Sequence, residues 1–235
     1  VKNKNQIIIA QTVHVQDIDA YAKRDFGRPK RDARVGMLPP KLAQIIINLA
    51  IGNNQQNKLT TLDPFCGTGV ILQESYLQGH NSVGTDIDKR MVEYSEQNLT
   101  WLTGNEKNNS IKIHVGDATY FDWLYFDTIA CETYLGQPFS AEPKPEKLQQ
   151  VIQDVNTIHK KFLMNVARQT KENFRMCMAV PAWYTKKGIK HLPILDQLTD
   201  MGYTRISFVH AKNKDLIYHR DDQIVGRELI VLKRK

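Results

Sequence analysis

Thr60-Thr61-Leu62-Asp63-Pro64-Phe65-Cys66-Gly67-Thr68-Gly69 reads as a short strand running into a glycine turn, and Val70-Ile71-Leu72-Gln73-Glu74-Ser75-Tyr76-Leu77 continues it as a helix. Gly67 and Gly69 permit a sharp turn and let a ligand lie against bare backbone. The first N–H groups of the helix point to the same place. A dinucleotide-binding fingerprint wants a third glycine at position 72, where this chain has Leu72. Asp63 would repel a pyrophosphate and suits a ligand carrying an amine or another positive charge. An ordinary β-turn-α corner, its glycines serving only the turn, is the competing reading of Gly67 and Gly69 taken alone.

The neighbours decide between the two. Ser82-Val83-Gly84-Thr85-Asp86 is the next strand, and it ends in a carboxylate 19 residues after Gly67, the usual place for a grip on ribose hydroxyls. The ligand so described is a nucleoside that is cationic at its other end, and S-adenosylmethionine (SAM) fits. A third strand, Ile111 to Val115, closes on Gly116-Asp117-Ala118. Asp117 can accept an adenine amino group, or it can cap a helix. The fourth strand, Phe126 to Cys131, is followed by Glu132. Strands alternating with helices imply a mostly parallel sheet covered on both faces, with ligands bound beyond the strands' carboxyl ends. Asp63, Asp86, Asp117 and Glu132 all stand at such ends.

A chain of 235 residues and 27.0 kDa fits one large α/β domain with a small appendage, and a 41% hydrophobic share supplies a core. No apolar run approaches the ~20 residues of a membrane span, and the N-terminus has no signal-peptide pattern. No membrane association and a cytoplasmic location are therefore expected. The chain opens on Val1 rather than methionine, which leaves room for an upstream segment. Cys66, Cys131 and Cys177 have no C-x-x-C spacing, which argues against a disulfide framework or a zinc site and for core thiols. A net charge of +7 suits a polyanionic partner.

Ahead of the glycine turn, Ile7 to Val13 reads as a strand. Gln16 to Arg34 reads as irregular and charge-dense, with Arg24, Arg28, Lys30 and Arg31 beside Tyr21 and Phe26. Such a mixture either grips phosphates and stacks on bases or is a solvated loop. Leu42, Ile45, Ile46 and Leu49 mark an amphipathic helix after Pro39-Pro40. Another helix spans Asp88 to Leu102, and a polar turn covers Asn105 to Ser110. The clearest helix, about Glu146 to Thr170, has a stripe of Leu148, Val151, Ile152, Val155, Ile158, Phe162 and Val166, with His159 read as surface and Met164 as core. Phe174 to Val180 is the fifth strand, Leu192 to Met201 a helix, and Tyr203 to Val209 with Arg227 to Leu232 a final antiparallel pair. The basic loop Lys212 to Arg220 lies between them.

Three blocks, Arg24-Asp25-Phe26-Gly27-Arg28-Pro29, Gly36-Met37-Leu38-Pro39-Pro40-Lys41-Leu42-Ala43 with Asn48-Leu49-Ala50, and Asp63-Pro64-Phe65-Cys66-Gly67-Thr68-Gly69, carry a resemblance. The chain resembles class I SAM-dependent methyltransferases, and more narrowly the THUMP-linked tRNA guanosine-10 N2-methyltransferase family within the DPPY-type amino-methyltransferase group. The match runs from about Gln16 to Gly136. The resemblance implies a Rossmann-like fold with a mostly parallel seven-stranded sheet and an antiparallel final strand. It divides the chain into residues 1–40, an N-terminal strand with a basic cofactor-closing segment, and residues 41–235, the methyltransferase domain. Under it, Asp63, Phe65, Cys66, Gly67, Thr68 and Gly69 pass beneath the methionine part of SAM. Asp86 holds the ribose and Asp117 the adenine, with Ile87 and Ala118 flanking the ring, while Met37, Leu38 and Pro39 close the methionine end. Arg24, Arg28, Lys30 and Arg31 would hold nucleic-acid phosphates.

The implied reaction is methylation of an exocyclic base nitrogen of RNA, guanine N2 in tRNA. N6-adenine methylation of DNA or RNA, and a catalytically silent SAM- or RNA-binding subunit, are the alternatives. The family's THUMP domain lies outside this chain and would be an upstream domain or a partner subunit. One departure is chemical. The family's tetrapeptide is Asp or Asn, Pro, Pro, then an aromatic, whereas here it is Glu132-Thr133-Tyr134-Leu135, followed by the expected Gly136. An exocyclic amine is a poor nucleophile, and a side-chain oxygen plus a backbone carbonyl aim its lone pair. Glu132, Thr133 and Tyr134 are thus the candidate catalytic residues.

Overall fold

The computed structural model describes residues 9–32, 37–54, 57–104, 109–139 and 141–235, and the backbone of residues 2–3 and 6–7. Seven strands form the main sheet: β1 (Thr60–Asp63), β2 (Asn81–Asp86), β3 (Ile111–Val115), β4 (Thr128–Glu132), β5 (Arg175–Thr185), β6 (Tyr203–Arg205) and β7 (Val225–Arg234). Among the described residues two short strands extend it, Gly188–Lys190 against β5 and Ile217–Tyr218 against β7. The order across the sheet is β3-β2-β1-β4-β5-β7, with β6 also pairing β7. Pairs from β3 through β5 are parallel, and β7 runs antiparallel to β5. The chain leaves β1 toward β2 on one side and returns to β4 on the other. The sheet therefore has its topological switch point between β1 and β4, where open α/β sheets bind ligands.

Among the described residues α2 (Pro40–Ile51), α3 (Val70–Leu77), α4 (Lys89–Thr103) and α5 (Pro145–Gln169) cover the sheet, and α1 (Ile18–Phe26) packs on α2. On one face α5 lays Val151, Val155, Phe162 and Val166 against Met176, Met178 and Val180 of β5 and Ile230 of β7. Truncating a buried Phe162 to Ala would cost about 3–5 kcal/mol, because the cavity relaxes only in part. On the other face α2 packs Leu42, Ala43, Ile46 and Ile47 on Ala130, Cys177, Ala179 and Leu229. Each strand thus divides its residues between the two layers with period two.

The structure corrects several expectations. Ile7 to Val13 is not a strand: Gln6–Ile7 pairs antiparallel with Lys2–Asn3, Ile8 lies outside the described residues, and Ile9 to Val13 is exposed without regular structure. Part of the Gln16 to Arg34 stretch is α1, started by Asp17, whose Oδ1 accepts the Ala20 N–H at 2.9 Å. Arg34 and Gly36, and Asn105 of the polar turn, lie outside the described residues. In α2, Ile47 is buried and Ile45 is 44% exposed, because the helix also packs on α3. Leu192 to Met201 holds only the 3₁₀ turn Pro193–Gln197. His159 and Met164 exchange places: His159 is buried and Met164 is 55% exposed. The three cysteines are free and buried, and burial pushes the Cys177 thiol up to about 12.

Candidate active site

The carboxyl ends of β1, β2 and β4 open into a cavity of about 610 Å³. Asp63, Phe65, Cys66, Gly67, Thr68, Leu38, Asp86, Ile87, Asp117, Ala118, Glu132, Thr133 and Tyr134 line it together. Met37, Pro39 and Gly69 are not among its lining residues. Pro39 caps α2, and Gly69 begins α3 in the left-handed conformation (φ 82°), where an added Cβ would meet Ser95 Oγ at 2.1 Å. Gly69 therefore serves the packing of α3 on α4. Gly67 differs: at φ 50° it lines the cavity, and an added Cβ would meet nothing nearer than the Phe65 carbonyl at 3.9 Å. That open space lets a ligand lie against the loop.

Pro64 ends β1 by removing a ladder donor, and Asp63 remains at its tip, 2% exposed. Its Oδ1 accepts the Phe65 N–H at 3.2 Å. Burial raises its carboxyl well above the usual range, and the neighbouring Asp86 and Glu132 add to this against the Phe65 hydrogen bond. Among the described residues no cation pairs with it. A buried acid of this kind favours a cationic ligand. Asp86 accepts the Gly67 N–H through Oδ2 and the Asp88 N–H through Oδ1, both at 2.9 Å. Burial raises its carboxyl also, against those bonds. Each oxygen keeps a lone pair for a hydroxyl. Asp117 caps a turn, not a helix, its Oδ1 accepting the Thr119 N–H at 2.8 Å, and the residue also lines the cavity. These acids, the bare Gly67 backbone and the cavity volume fit SAM.

At the tip of β4, Arg227 of β7 donates Nε–H to Glu132 Oε1. Burial raises the Glu132 carboxyl, while the Arg227 charge and hydrogen bond oppose the rise. Thr133 faces the other layer, where its Oγ1 lies 2.6 Å from His159 Nε2. Its N–H bonds the Ala179 carbonyl at 3.0 Å, so the peptide after Glu132 is held in the sheet. Tyr134 is 43% exposed at the cavity mouth.

The basic segment is corrected in its placement. Arg24 turns inward, its Nε 2.6 Å from Oε1 of the buried Glu74 on α3. Arg28 is 3% exposed, and its guanidinium has no hydrogen-bond partner among the described residues. Arg31 is exposed, with its Cζ 5.5 Å over the Phe26 ring, and Lys30 is half-buried over Tyr94. A buried carboxylate on α3 needs a cation, and α1 supplies it.

Sequence reasoning missed Asp32, Arg90, Asn98 and Arg227. Asp32 and Arg90 line the cavity and pair at 3.4 Å. Asn98 donates to the Thr68 carbonyl and exchanges two hydrogen bonds with the Lys30 backbone, all at 2.9 Å. Only Arg227 carried a signal. Arg227-Glu228 opens an apolar strand, and adjacent charges on opposite faces of a sheet each demand a partner.

Fold and site together define a Rossmann-like methyltransferase with a strand-end cavity whose residues fit S-adenosylmethionine. The chain belongs to the methyltransferase-domain family, which it matches over residues 55–215. It is 34% identical over 159 residues to the tRNA (guanine(10)-N2)-dimethyltransferase of Methanothermobacter thermautotrophicus, an alignment covering 68% of this chain and 41% of that one. The chain thus spans less than half the length of this curated relative. Among solved structures it is similar to TrmN from Thermus thermophilus, at 17% identity and a TM-score of 0.56 over 86% of this chain and 51% of that one. It is also similar to the magnesium protoporphyrin IX methyltransferase ChlM from Synechocystis PCC 6803 with bound SAH, at 12% identity and a TM-score of 0.60 over 92% and 94% of the two chains. At these identities the two structures bear on the fold alone.

Proposed function

We propose that the protein methylates an exocyclic base nitrogen of RNA, guanine N2 in tRNA, with Glu132 as the acceptor of the reacting amine's N–H. One observation carries the reading: Glu132 ends β4 at the switch point, inside the same cavity as Asp63 and Asp86. The relative named above supports the substrate class. In this proposal Asp86 holds the ribose, Asp117 the adenine amino group, and Asp63 faces the cationic methionine end under Leu38. SAM, when bound, supplies the electrophilic methyl of its sulfonium. Glu132 accepts one amine N–H and aims the lone pair, and the loop at Thr133-Tyr134 accepts the other through a backbone carbonyl. As the nitrogen gains positive charge the carboxylate stabilises it, and the surplus proton passes to Glu132. A tRNA substrate would set the reaction in the cytoplasm. A THUMP-like domain or partner subunit that grips the tRNA belongs to the same proposal.

The test incubates the protein with methyl-labelled SAM and either bulk tRNA or duplex DNA. Label recovered as N2-methylguanosine is the expected result, and label in N6-methyladenine would overturn it. Intact SAM binding without transfer would mark a silent subunit, the second reading, which the departure of Glu132-Thr133-Tyr134-Leu135 from the family tetrapeptide motivates. On the verified substrate, Glu132→Ala should lower kcat by at least ~100-fold with SAM affinity nearly intact, and Glu132→Gln should fall between.

A further inference from the structure

We propose that Arg227 is a positioning residue for methyl transfer: its guanidinium holds the Glu132 carboxylate by Oε1 and turns Oε2 toward the acceptor amine. The inference rests on the reading of Glu132 as the amine's acceptor. Its starting point is the strand register. Glu132 lies opposite Ala179, and Ala179 lies opposite Leu229, so Glu132 and β7 are separated by β5 alone, about 9.5 Å at ordinary strand spacing. Arg227 is two residues before Leu229 on the same face, opposite Pro181. Because β7 is antiparallel, that step moves Arg227 toward the carboxyl ends, where Glu132 is. Ala179 leaves room between them, and Arg227 crosses at 4% exposure.

The pair answers what is unusual in the Glu132-Thr133-Tyr134-Leu135 segment. A glutamate has one more rotatable bond than an aspartate, and the segment lacks stiffening prolines. An error near 1 Å in the placement of a reacting group can cost ~100-fold in rate. A guanidinium fixed in a strand removes the extra freedom from outside the segment. The pair also sets charge. The groups facing Glu132 are Asp63 from β1 and Arg227 from β7, with Asp86 of β2 behind Asp63, while the α2 layer on this face is apolar. Two buried carboxyls side by side retain a proton between them. A protonated Glu132 would give up an acceptor lone pair to O–H. Arg227 opposes that proton on Glu132, while Asp63 awaits the sulfonium-bearing ligand.

The test compares wild type, Arg227→Met, Arg227→Lys and Glu132→Gln with labelled SAM and bulk tRNA, and follows the Glu132 carboxyl by 13C NMR in glutamate-labelled protein. Arg227→Met should lower kcat by ~10- to 100-fold while the SAM Kd moves less than ~3-fold. The ascending acid limb of kcat and the Glu132 titration should both move to higher pH. Arg227→Lys should restore the titration and part of kcat. In the Glu132→Gln background, Arg227→Met should add little. Wild-type kcat together with an unmoved Glu132 titration in Arg227→Met would overturn the inference. If Glu132→Gln itself turns over normally, the reading of Glu132 fails instead. Should Arg227→Met not fold, Arg227→Gln, which keeps a donor without the charge, carries the same readouts. The NMR titration decides the charge role even on a protein for which no transfer is seen.

Discussion

His159 Nε2 lies 2.6 Å from Thr133 Oγ1, so a buried imidazole on α5 holds the residue that follows the proposed acceptor. The other ring nitrogen faces the Val155 carbonyl at 2.8 Å and must donate to it, so in the neutral ring Nε2 accepts from the Thr133 hydroxyl, whose one proton is shared with the Ala179 carbonyl 3.1 Å away. Burial lowers the imidazolium to about 4, against a small rise from the Val155 bond. Between pH 6.5 and 4 the unfolded chain binds the extra proton and the folded one does not, so stability falls with pH across that window and levels off below it. The contribution is on the order of 3 kcal/mol.

Urea unfolding at pH 7 and pH 4 should therefore show the stability difference between wild type and His159→Leu shrinking or reversing by about that amount as the pH falls. The raised carboxyls of Asp63 and Asp86 act in the opposite direction, gaining stability as they protonate, but they are common to both proteins. Parallel curves would show that His159 does not carry a depressed pKa.

Asn98 joins the glycine turn to the N-terminal segment. It bonds the Thr68 carbonyl and the Lys30 backbone from a fully buried position on α4, and Asp32 reaches the cavity two residues beyond Lys30. Asn98→Ala should cost about 1–3 kcal/mol, since it strands buried backbone groups. It should also weaken SAM binding by several-fold as the rim loosens. Calorimetry with unchanged SAM affinity beside a lowered Tm would confine Asn98 to stability.

The contrast between Asn98 and Asp63 explains what is legible in the sequence. Asp63, Asp86 and Glu132 announce themselves because each ends a strand, and Asp117 because it follows one by two residues, and strand ends follow from local alternation. The fold follows from the same local signals. Arg24 and Arg28 escape such a reading because their sign says nothing about burial. What turns Arg24 inward is Glu74, 50 residues later in the chain. His159 reads as surface because periodicity ranks a helix by hydrophobicity, whereas a buried histidine is stabilised by partners such as Thr133 that periodicity does not see. Arg227 is separated from Glu132 by 95 residues, and only the register of β5 and β7 brings them together.

Arg28 gives a prediction of opposite sign to most core changes. Its guanidinium is buried without a partner among the described residues, and burial lowers its pKa despite Asp25 and Glu74 nearby. Replacing an unpaired buried charge with an apolar side chain of similar length removes a desolvation penalty. Arg28→Met should match or exceed wild type in urea midpoint. A drop of several kcal/mol would mean that Arg28 holds a partner in solution.

If the proposed RNA substrate holds, the inward turn of Arg24 and Arg28 places its docking face elsewhere on the surface. Lys186 and Lys187 are exposed on the turn after β5 and Lys190 on the short strand that follows it, and the Lys186 N–H bonds Glu142 in the linker that follows the acceptor segment. Tyr184 stacks on His219 at 3.5 Å beside that turn. Alanine at all three lysines should weaken tRNA binding across sequences and reduce the slope of log K against log salt by ~0.7–0.9 for each phosphate no longer neutralised. Lys30→Ala/Arg31→Ala tests the remaining outward part of the first segment. A slope reduced by the second variant and untouched by the first would return the docking face to the N-terminal segment.

Cofactor binding should be linked to protons through Asp63. Its carboxyl is raised well above the usual range chiefly by burial, so part of the free protein carries a proton there at pH values where an exposed aspartate is ionised. A cationic ligand favours the ionised form, and binding must then expel that proton. SAM affinity should accordingly rise with pH until Asp63 is ionised in the free protein, then level off. Calorimetry in buffers of different ionisation enthalpy should detect proton release on the acid side of that plateau. Asp63→Asn should abolish the pH dependence and weaken binding. Asp86→Ala should weaken binding by roughly 10- to 150-fold, as expected for removal of a charge-assisted hydrogen bond of ~1.5–3 kcal/mol, yet keep the proton release. Equal release from Asp63→Asn and wild type would place the linked proton on another group, and Asp86, also raised by burial, is then the one to replace next.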